Sequence, residues 1–475
     1  MAAPASVPPP TGGSAAPMSF ATMAKLCVMM FLQFFIWGAW FELGFDYIPK
    51  LGFNNDWQLP LIFGAFNVGA LVALFFSTQF ADRTFAAEKF LAVSHLIGGA
   101  AILGLFFIRP EVADPTNKEA VKAATDAAFW PFFLLMLLHS VFYVPTISIT
   151  NSIAFNAFTN PEKQFGPVRV WGTIGWIAAS WPFIFLLVDW AAVAGRKPEE
   201  EWLGKMLSTS LTGAAAMEMK RYIFLVAGVA SFVLAAFSLL LPHTPPKKAA
   251  GGDSLAWVKA LKLLRHPAIL VLFVVTFIDA AVHQSFFFWS FTFLGPKADG
   301  GAVDLPGHWV GPVMKIGQIA EILTMFALGW VLKTLGWRWT MILGVLGHAV
   351  RFAVFAFVPD QVPAILINVV HGICYAFFFA TVYIFVDKHF PKDVRSSAQG
   401  LFNVLILGVG PFVANFLCGK LKGMYEMKVQ TATDKVVETV DYTIVFQFSM
   451  FAALVGAILL AVAFHPKKET QQAEK

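Results

Sequence analysis

PAILVLFVVTFIDAAVHQSFFFWSFTFL, residues 267–294, is apolar along its whole length apart from Asp279, His283, Gln284 and a few hydroxyls. About 20 apolar residues cross a hydrocarbon layer roughly 30 Å thick. The stretch therefore predicts a transmembrane helix that carries a small polar cluster into the lipid zone. Eleven further runs of this kind lie at 23–48, 58–80, 88–108, 128–157, 166–190, 221–241, 309–333, 339–358, 362–386, 396–420 and 441–464. Twelve spans make an all-α polytopic membrane protein, because a helix satisfies every backbone polar group inside lipid. The ten-residue alternating segments of a membrane barrel are absent. Composition agrees: of 475 residues, 58% are hydrophobic and 13% charged, against roughly 25% charged in soluble domains.

The spans divide six and six around residues 242–266, where Pro242, Pro245, Pro246, Lys247, Lys248, Gly251 and Gly252 precede a basic amphipathic stretch through Lys259, Lys262 and Arg265. This organisation predicts a disordered tail at 1–22, a first half at 23–241, a cytoplasmic linker at 242–266, a second half at 267–465 and a tail at 466–475. Such a plan fits the two-repeat architecture of many secondary carriers. A thin excess of Lys and Arg on one side places both termini in the cytoplasm, in a cell inner membrane. Met1–Pro17 lacks the basic region of a cleaved signal, so the first run reads as a retained helix. Cys27, Cys374 and Cys418 all fall in apolar runs without metal spacing, which indicates neither a disulfide framework nor a metal site. The net charge of +5 is scattered among loops and gives no sign of nucleic-acid binding.

A polar side chain inside a span is costly and marks a solute or ion path by default. In the fifth span Arg169, Thr173 and Trp176 stand at i, i+4 and i+7, on one helical face. A guanidinium and an indole there suit a polar, ring-bearing ligand, while the plainer alternative is an arginine snorkelling to the surface. The eighth span carries Lys315, Gln318 and Glu321 three residues apart. Gln318 and Glu321 share a face, and Lys315 diverges from Glu321 by about 120°. Proton coupling needs a carboxyl in a partly dry cavity, and Glu321 is the candidate; the alternative is a carboxylate held permanently by a lysine or arginine. In the seventh span Asp279 and His283 are i, i+4 and read either as mutual partners or as a proton relay, whereas Gln284 is the better group for recognising a ligand. His348 and Arg351 in the ninth span, and His139, Tyr143, Pro145, Thr146 and Asn151 in the fourth, read as architecture. No phosphate loop, GxSxG elbow or HExxH is present, so neither catalysis nor a cofactor is indicated.

Several motifs run along the whole membrane region: Phe31-Leu32-Gln33-Phe34 with Trp37-Gly38-Ala39-Trp40, Pro145-Thr146 with Asn151, Arg169-Val170-Trp171-Gly172-Thr173-Ile174-Gly175, and Leu241-Pro242-His243 with Pro245. Gln318-Ile319 with Glu321, Arg351-Phe352-Ala353, Phe385-Val386-Asp387-Lys388 and Arg395-Ser396-Ser397-Ala398-Gln399-Gly400 complete the set. With these the chain resembles the nucleoside:proton symporter family of the major facilitator superfamily. The resemblance implies a facilitator fold with a central cavity between the halves, opened alternately to each side. It implies that Arg169, Thr173, Gln284, Gln318 and Glu321 line a nucleoside site, with Trp176 and Tyr375 as its aromatic positions. The chain departs from nucleoside-carrying relatives at Phe287, Ala376 and Phe379, where polar residues are replaced, and the acidic residue of the tenth span is missing at Ala376. An unmatched polar group on a ligand costs about 1–3 kcal/mol, so these changes bear on substrate choice and leave Glu321 as the favoured proton carrier.

The leading expectation is secondary active transport of nucleosides by proton symport. A facilitator-fold carrier of another small polar solute, such as a sugar, is the alternative. A non-transporting membrane sensor or membrane-embedded enzyme is the third reading, and the six-plus-six layout weighs against it.

Overall fold

The computed structural model describes residues 18–53, 57–76, 85–111, 117–246, 262–390, 395–430 and 436–465. Residues 1–17 of the tail expected at 1–22, the tail at 466–475 and most of the basic linker, 247–261, lie outside the described residues; from Phe20 the expected tail is already helical. Twelve long helices follow one another: α1 Phe20–Lys50, α2 Gln58–Phe76, α3 Ala87–Leu105, α4 Lys118–Ala157, α5 Pro161–Ala178, α6 Tyr222–Ser238, α7 Pro267–Leu294, α8 307–335, α9 337–357, α10 Gln361–His389, α11 Ala398–Tyr425 and α12 Tyr442–Ala463. Their centres agree with the apolar runs except the fifth, expected at 166–190, where the helix ends at Ala178 and a short helix, Trp181–Leu186, follows. A run of α-helical hydrogen bonds continues from α8 into α9, but Gly336 breaks it with φ 72°, a left-handed backbone that glycine adopts without strain. Side chains cap several helices: Ser19 Oγ accepts the Thr22 N–H at 3.1 Å, and Asp441 Oδ1 accepts that of Ile444 at 3.2 Å. Large apolar side chains such as Phe326, 84% exposed, and Val462, 71% exposed, face outward where lipid would cover them.

An even number of traverses leaves both chain ends at one end of the bundle, and the two halves meet most fully at the other, the distal end. There Phe41 packs on Phe287 and Phe45 on Phe288, with ring centroids 5.3 and 5.7 Å apart. Buried Glu42 of α1 faces buried Lys315 of α8 at 2.8 Å, an ionic approach without hydrogen-bond alignment. Asp46 holds Lys50 at 2.6 Å and Lys220 at 2.5 Å, and Thr292 Oγ1 of α7 donates to it at 3.5 Å.

The long connection between α5 and α6 folds into short helices and straps the first half to the second. Leu207 O accepts from Trp309 Nε1 at 2.8 Å and from His308 Nε2 at 3.2 Å. Ser210 Oγ accepts the Gly307 N–H at 3.0 Å, and Asp299 Oδ1 accepts that of Gly213 at 3.3 Å. A two-stranded antiparallel hairpin, β1 Glu426–Gln430 with β2 Val436–Val440, stands beside the strap, with Glu426 opposite Val440. Thr439 Oγ1 ties it to Gly300 O at 2.7 Å.

Candidate functional site

The site is built on two close helix crossings, each made by glycines. In α5, a Cβ at Gly175 would collide with the Phe31 carbonyl of α1, and one at Gly172 would stand 2.7 Å from Phe34 Cδ2. In the reverse direction, a Cβ at Gly38 would lie 2.9 Å from Trp176 O. Small residues at these points let the two backbones touch, the usual means of helix association in lipid. The contact fixes the azimuth of α5. It lays the half-buried Arg169 guanidinium over the Phe34 ring at 4.1 Å. It also sets Trp176 edge-on to Trp37 at 5.1 Å. Lys315 of the second half rests its ammonium 4.5 Å from the Trp176 ring. Thr173 is half-buried between Arg169 and Trp176 on the same helical face.

The second crossing joins α8 to α10. A Cβ at Gly317 would meet His371 Cβ at 2.7 Å, and one at Gly372 would collide with the backbone at Ala320 and Glu321. Gln318 is thereby set beside His371, with Nε2 of each 3.5 Å apart. Glu321, one turn on, and Tyr375 both lie within electrostatic reach of Arg169 from the opposite half. Residues Tyr375–Ala380 form a π-helical turn, a local widening of the helix that often accompanies functional sites. Phe379 in that turn packs on His283 at 5.3 Å, and Phe287 on His283 at 5.3 Å. The positions that depart from the family's polar pattern thus form an aromatic wall, with Ala376 buried.

Gln284 of α7 belongs to a chain of amides that crosses the molecule. Its Nε2 donates to Asn415 Oδ1 at 3.0 Å; Asn415 Nδ2 donates to Asn67 Oδ1 at 3.3 Å; and Asn67 Nδ2 donates to Leu407 O at 2.9 Å.

One reading of the sequence needs correction. Asp279 and His283 do not satisfy each other: both carboxylate oxygens and His283 Nδ1 are buried without a hydrogen-bond partner, and the group closest to ion-pair distance of Asp279 is His348 Nε2, at 3.8 Å from Oδ1. One helical turn of separation leaves their side chains free to choose different neighbours, and His283 instead stacks on His371 at 5.1 Å. Lys315, which diverges from Glu321 along the helix, pairs with Glu42. Arg351 reaches neither the surface nor a carboxylate but lies buried between two histidines, with NH1 2.7 Å from His371 Nδ1 and NH2 2.8 Å from His348 Nδ1. Sequence reasoning missed Glu42, Asn67, His371 and Asn415. The only signal was a lone polar residue in an apolar run. Among the described residues no group of three His, Cys, Asp or Glu is arranged to hold a metal.

Donors, acceptors and aromatic faces of the two halves stand together here, an arrangement that can hold a polar solute. A family model described as nucleoside H+ symporter matches residues 20–197 and 202–469. The chain belongs to the nucleoside H+ symporter family. Within reach of this family lies an Escherichia coli (strain K12) protein, YegT, provisionally named a nucleoside transporter, which is 31% identical over 405 residues, 84% of each chain. The xanthosine permease of the same organism is 27% identical over 413 residues, 83% of this chain and 86% of the permease. A crystal structure of the nucleoside transporter NupG superposes with a TM-score of 0.70 at 23% identity, covering 94% of this chain and 100% of the other. A D-xylose–proton symporter superposes at 0.62 with 11% identity, covering 95% and 99%. These likenesses make the fold that of the major facilitator superfamily, two six-helix halves around a central site, and the chain a multi-pass membrane transporter.

Proposed function

We propose that this protein moves nucleosides across the cell inner membrane by proton symport, with both termini cytoplasmic and no cofactor or catalytic step. One observation carries the reading: the Lys315 ammonium of the second half rests 4.5 Å from the Trp176 ring of the first, with Gln318 one turn on along the same helix. Gln284 and Gln318 hydrogen-bond the solute, Arg169 and Thr173 meet ribose hydroxyls, and Trp176 and Tyr375 supply stacking faces. Glu321 is the proton carrier, since the family resemblance leaves the tenth span without its acidic residue at Ala376. The halves at 23–241 and 267–465, joined by the linker at 242–266, rock about this site so that it opens to each side in turn.

The test is uptake of labelled uridine and adenosine into proteoliposomes, with and without an inward proton gradient, beside a labelled sugar as control. Gradient-driven uridine accumulation that Gln318→Ala abolishes is the expected result. Glu321→Gln should retain uridine exchange across the membrane but lose accumulation. Sugar flux alone, or full accumulation by Glu321→Gln, overturns the corresponding part of the reading.

A further inference from the structure

Two anchors of opposite character fix the polarity of the two glutamines. The first is Arg351, fully buried and stacked 3.8 Å over the Phe286 ring. A guanidinium stays protonated and has donors only. Each imidazole it touches must therefore accept at Nδ1, which puts the single proton of a neutral ring on Nε2. His371 Nε2–H then faces the Gln318 amide nitrogen at 3.5 Å, donor against donor, while Gln318 Oε1 is buried without a partner. Half a turn about the Cγ–Cδ bond resolves both faults, because amide oxygen and nitrogen exchange places without changing shape. Oε1 then accepts from His371, and Gln318 offers its NH2 to the solute.

The second anchor is the Leu407 carbonyl, which can only accept. It commits Asn67 Nδ2 as donor at 2.9 Å, hence Asn67 Oδ1 as acceptor for Asn415 Nδ2, hence Asn415 Oδ1 as acceptor for Gln284 Nε2. Gln284 has its Oε1 left to offer. One glutamine thus presents a donor and the other an acceptor, and neither can reverse without breaking its relay.

We propose that Arg351 and His371, and on the other side Asn67 and Asn415, are positioning residues that make this carrier selective for nucleosides whose base presents an imide edge, an N–H flanked by carbonyl oxygens, as in uridine. This rests on the reading above that both glutamines meet the solute. A hydroxyl is donor and acceptor at once and would tolerate either amide orientation, so locked amides discriminate only among groups of fixed polarity. An imide meets a donor–acceptor pair in either order. Held in the same placement, cytidine turns the N3 lone pair on the Gln284 acceptor, one mismatched group, and 3-methyluridine has lost the N–H altogether.

Initial rates in proteoliposomes should give a kcat/KM for uridine about tenfold or more above those for cytidine and 3-methyluridine, the loss expected from one mismatched polar group. His371→Phe keeps the ring but frees the Gln318 amide, so the uridine-to-cytidine ratio should fall towards one, through KM rather than kcat. His371→Gln, which can still accept from Arg351 and donate to Gln318, should restore the ratio. Asn67→Leu frees the Gln284 amide in the same way and should likewise lower the uridine-to-cytidine ratio. Equal wild-type rates for the three nucleosides, or a ratio unmoved by His371→Phe, overturn this inference and leave nucleoside transport standing. Flux of none of them overturns the transport reading itself.

Discussion

The Gln33–His95 network of the first half is closed on itself, whereas the cluster around Arg351 in the second is left open. In the first half Gln33 Nε2 donates to Thr146 Oγ1 at 2.8 Å, its Oε1 faces His95 Nε2 at 3.0 Å, and His95 Nδ1 meets Ser231 Oγ at 2.9 Å. Tyr143 donates to the Gln33 carbonyl at 2.5 Å, and His139 Nδ1 meets Gly98 O at 2.9 Å. Four helices, α1, α3, α4 and α6, are knotted together by these groups, of which His139 alone keeps an unpaired atom, Nε2. In the second half Asp279, His283, His348, Gln318 and Arg351 each keep at least one buried polar atom without a hydrogen bond. Buried polar groups are normally paired, so unspent capacity sets the second cluster apart from scaffolding. A polar residue in a membrane span is thus not itself a sign of function; what remains unpaired after packing is the better guide.

The contrast presupposes that each half is a firm unit, and its harshest test is Gly175→Leu. The new side chain would strike the Phe31 carbonyl, a backbone atom that cannot step aside. We expect loss of monodisperse protein on size-exclusion chromatography together with loss of uptake. Next in size is the tie between the halves. Lys315→Met strands the buried Glu42 carboxylate and should cost about 3–5 kcal/mol in thermal or denaturant unfolding, most of it recovered by the double substitution Glu42→Gln/Lys315→Met. If the single and double variants are equally destabilised, the two charges do not act as a pair. Within the closed knot, Gln33→Ala removes the partners of His95 and Thr146, at about 1–3 kcal/mol for each group left unsatisfied, with the uridine KM unchanged. A raised KM would make the knot part of the solute site. In the open cluster, Asp279→Asn keeps the shape of a side chain that makes no hydrogen bond, and should move stability by less than about 1 kcal/mol. A large loss there would erase the distinction between the halves.

Much of the fold was legible because lipid imposes one rule on every span. The runs at 267–294 and 441–464 coincide with α7 and α12 within a residue or two, since length and apolarity alone define them. The shared face of Arg169, Thr173 and Trp176, and that of Gln318 and Glu321, followed from helical periodicity. Partnerships between helices were not legible. Lys315 found Glu42, and Arg351 found His371, because of which helices pack together, α9 on α10 at Gly344 and Gly347 for instance, and no spacing along the chain encodes which. The strap at 207–213 was hidden for another reason: its backbone carbonyl and hydroxyl acceptors look like any loop until the facing residues 299–309 are seen.

That strap has a practical consequence. Leu207, Ser210 and Gly213 are latched to Trp309, Gly307 and Asp299 across the distal seam, away from the residues proposed to hold the solute. Any cycle that parts the halves on that side must unfasten these contacts and close them again. A pair of fluorescent or spin labels placed at Ser210 and on the facing loop would therefore time each turnover from outside, leaving the chemistry of recognition untouched.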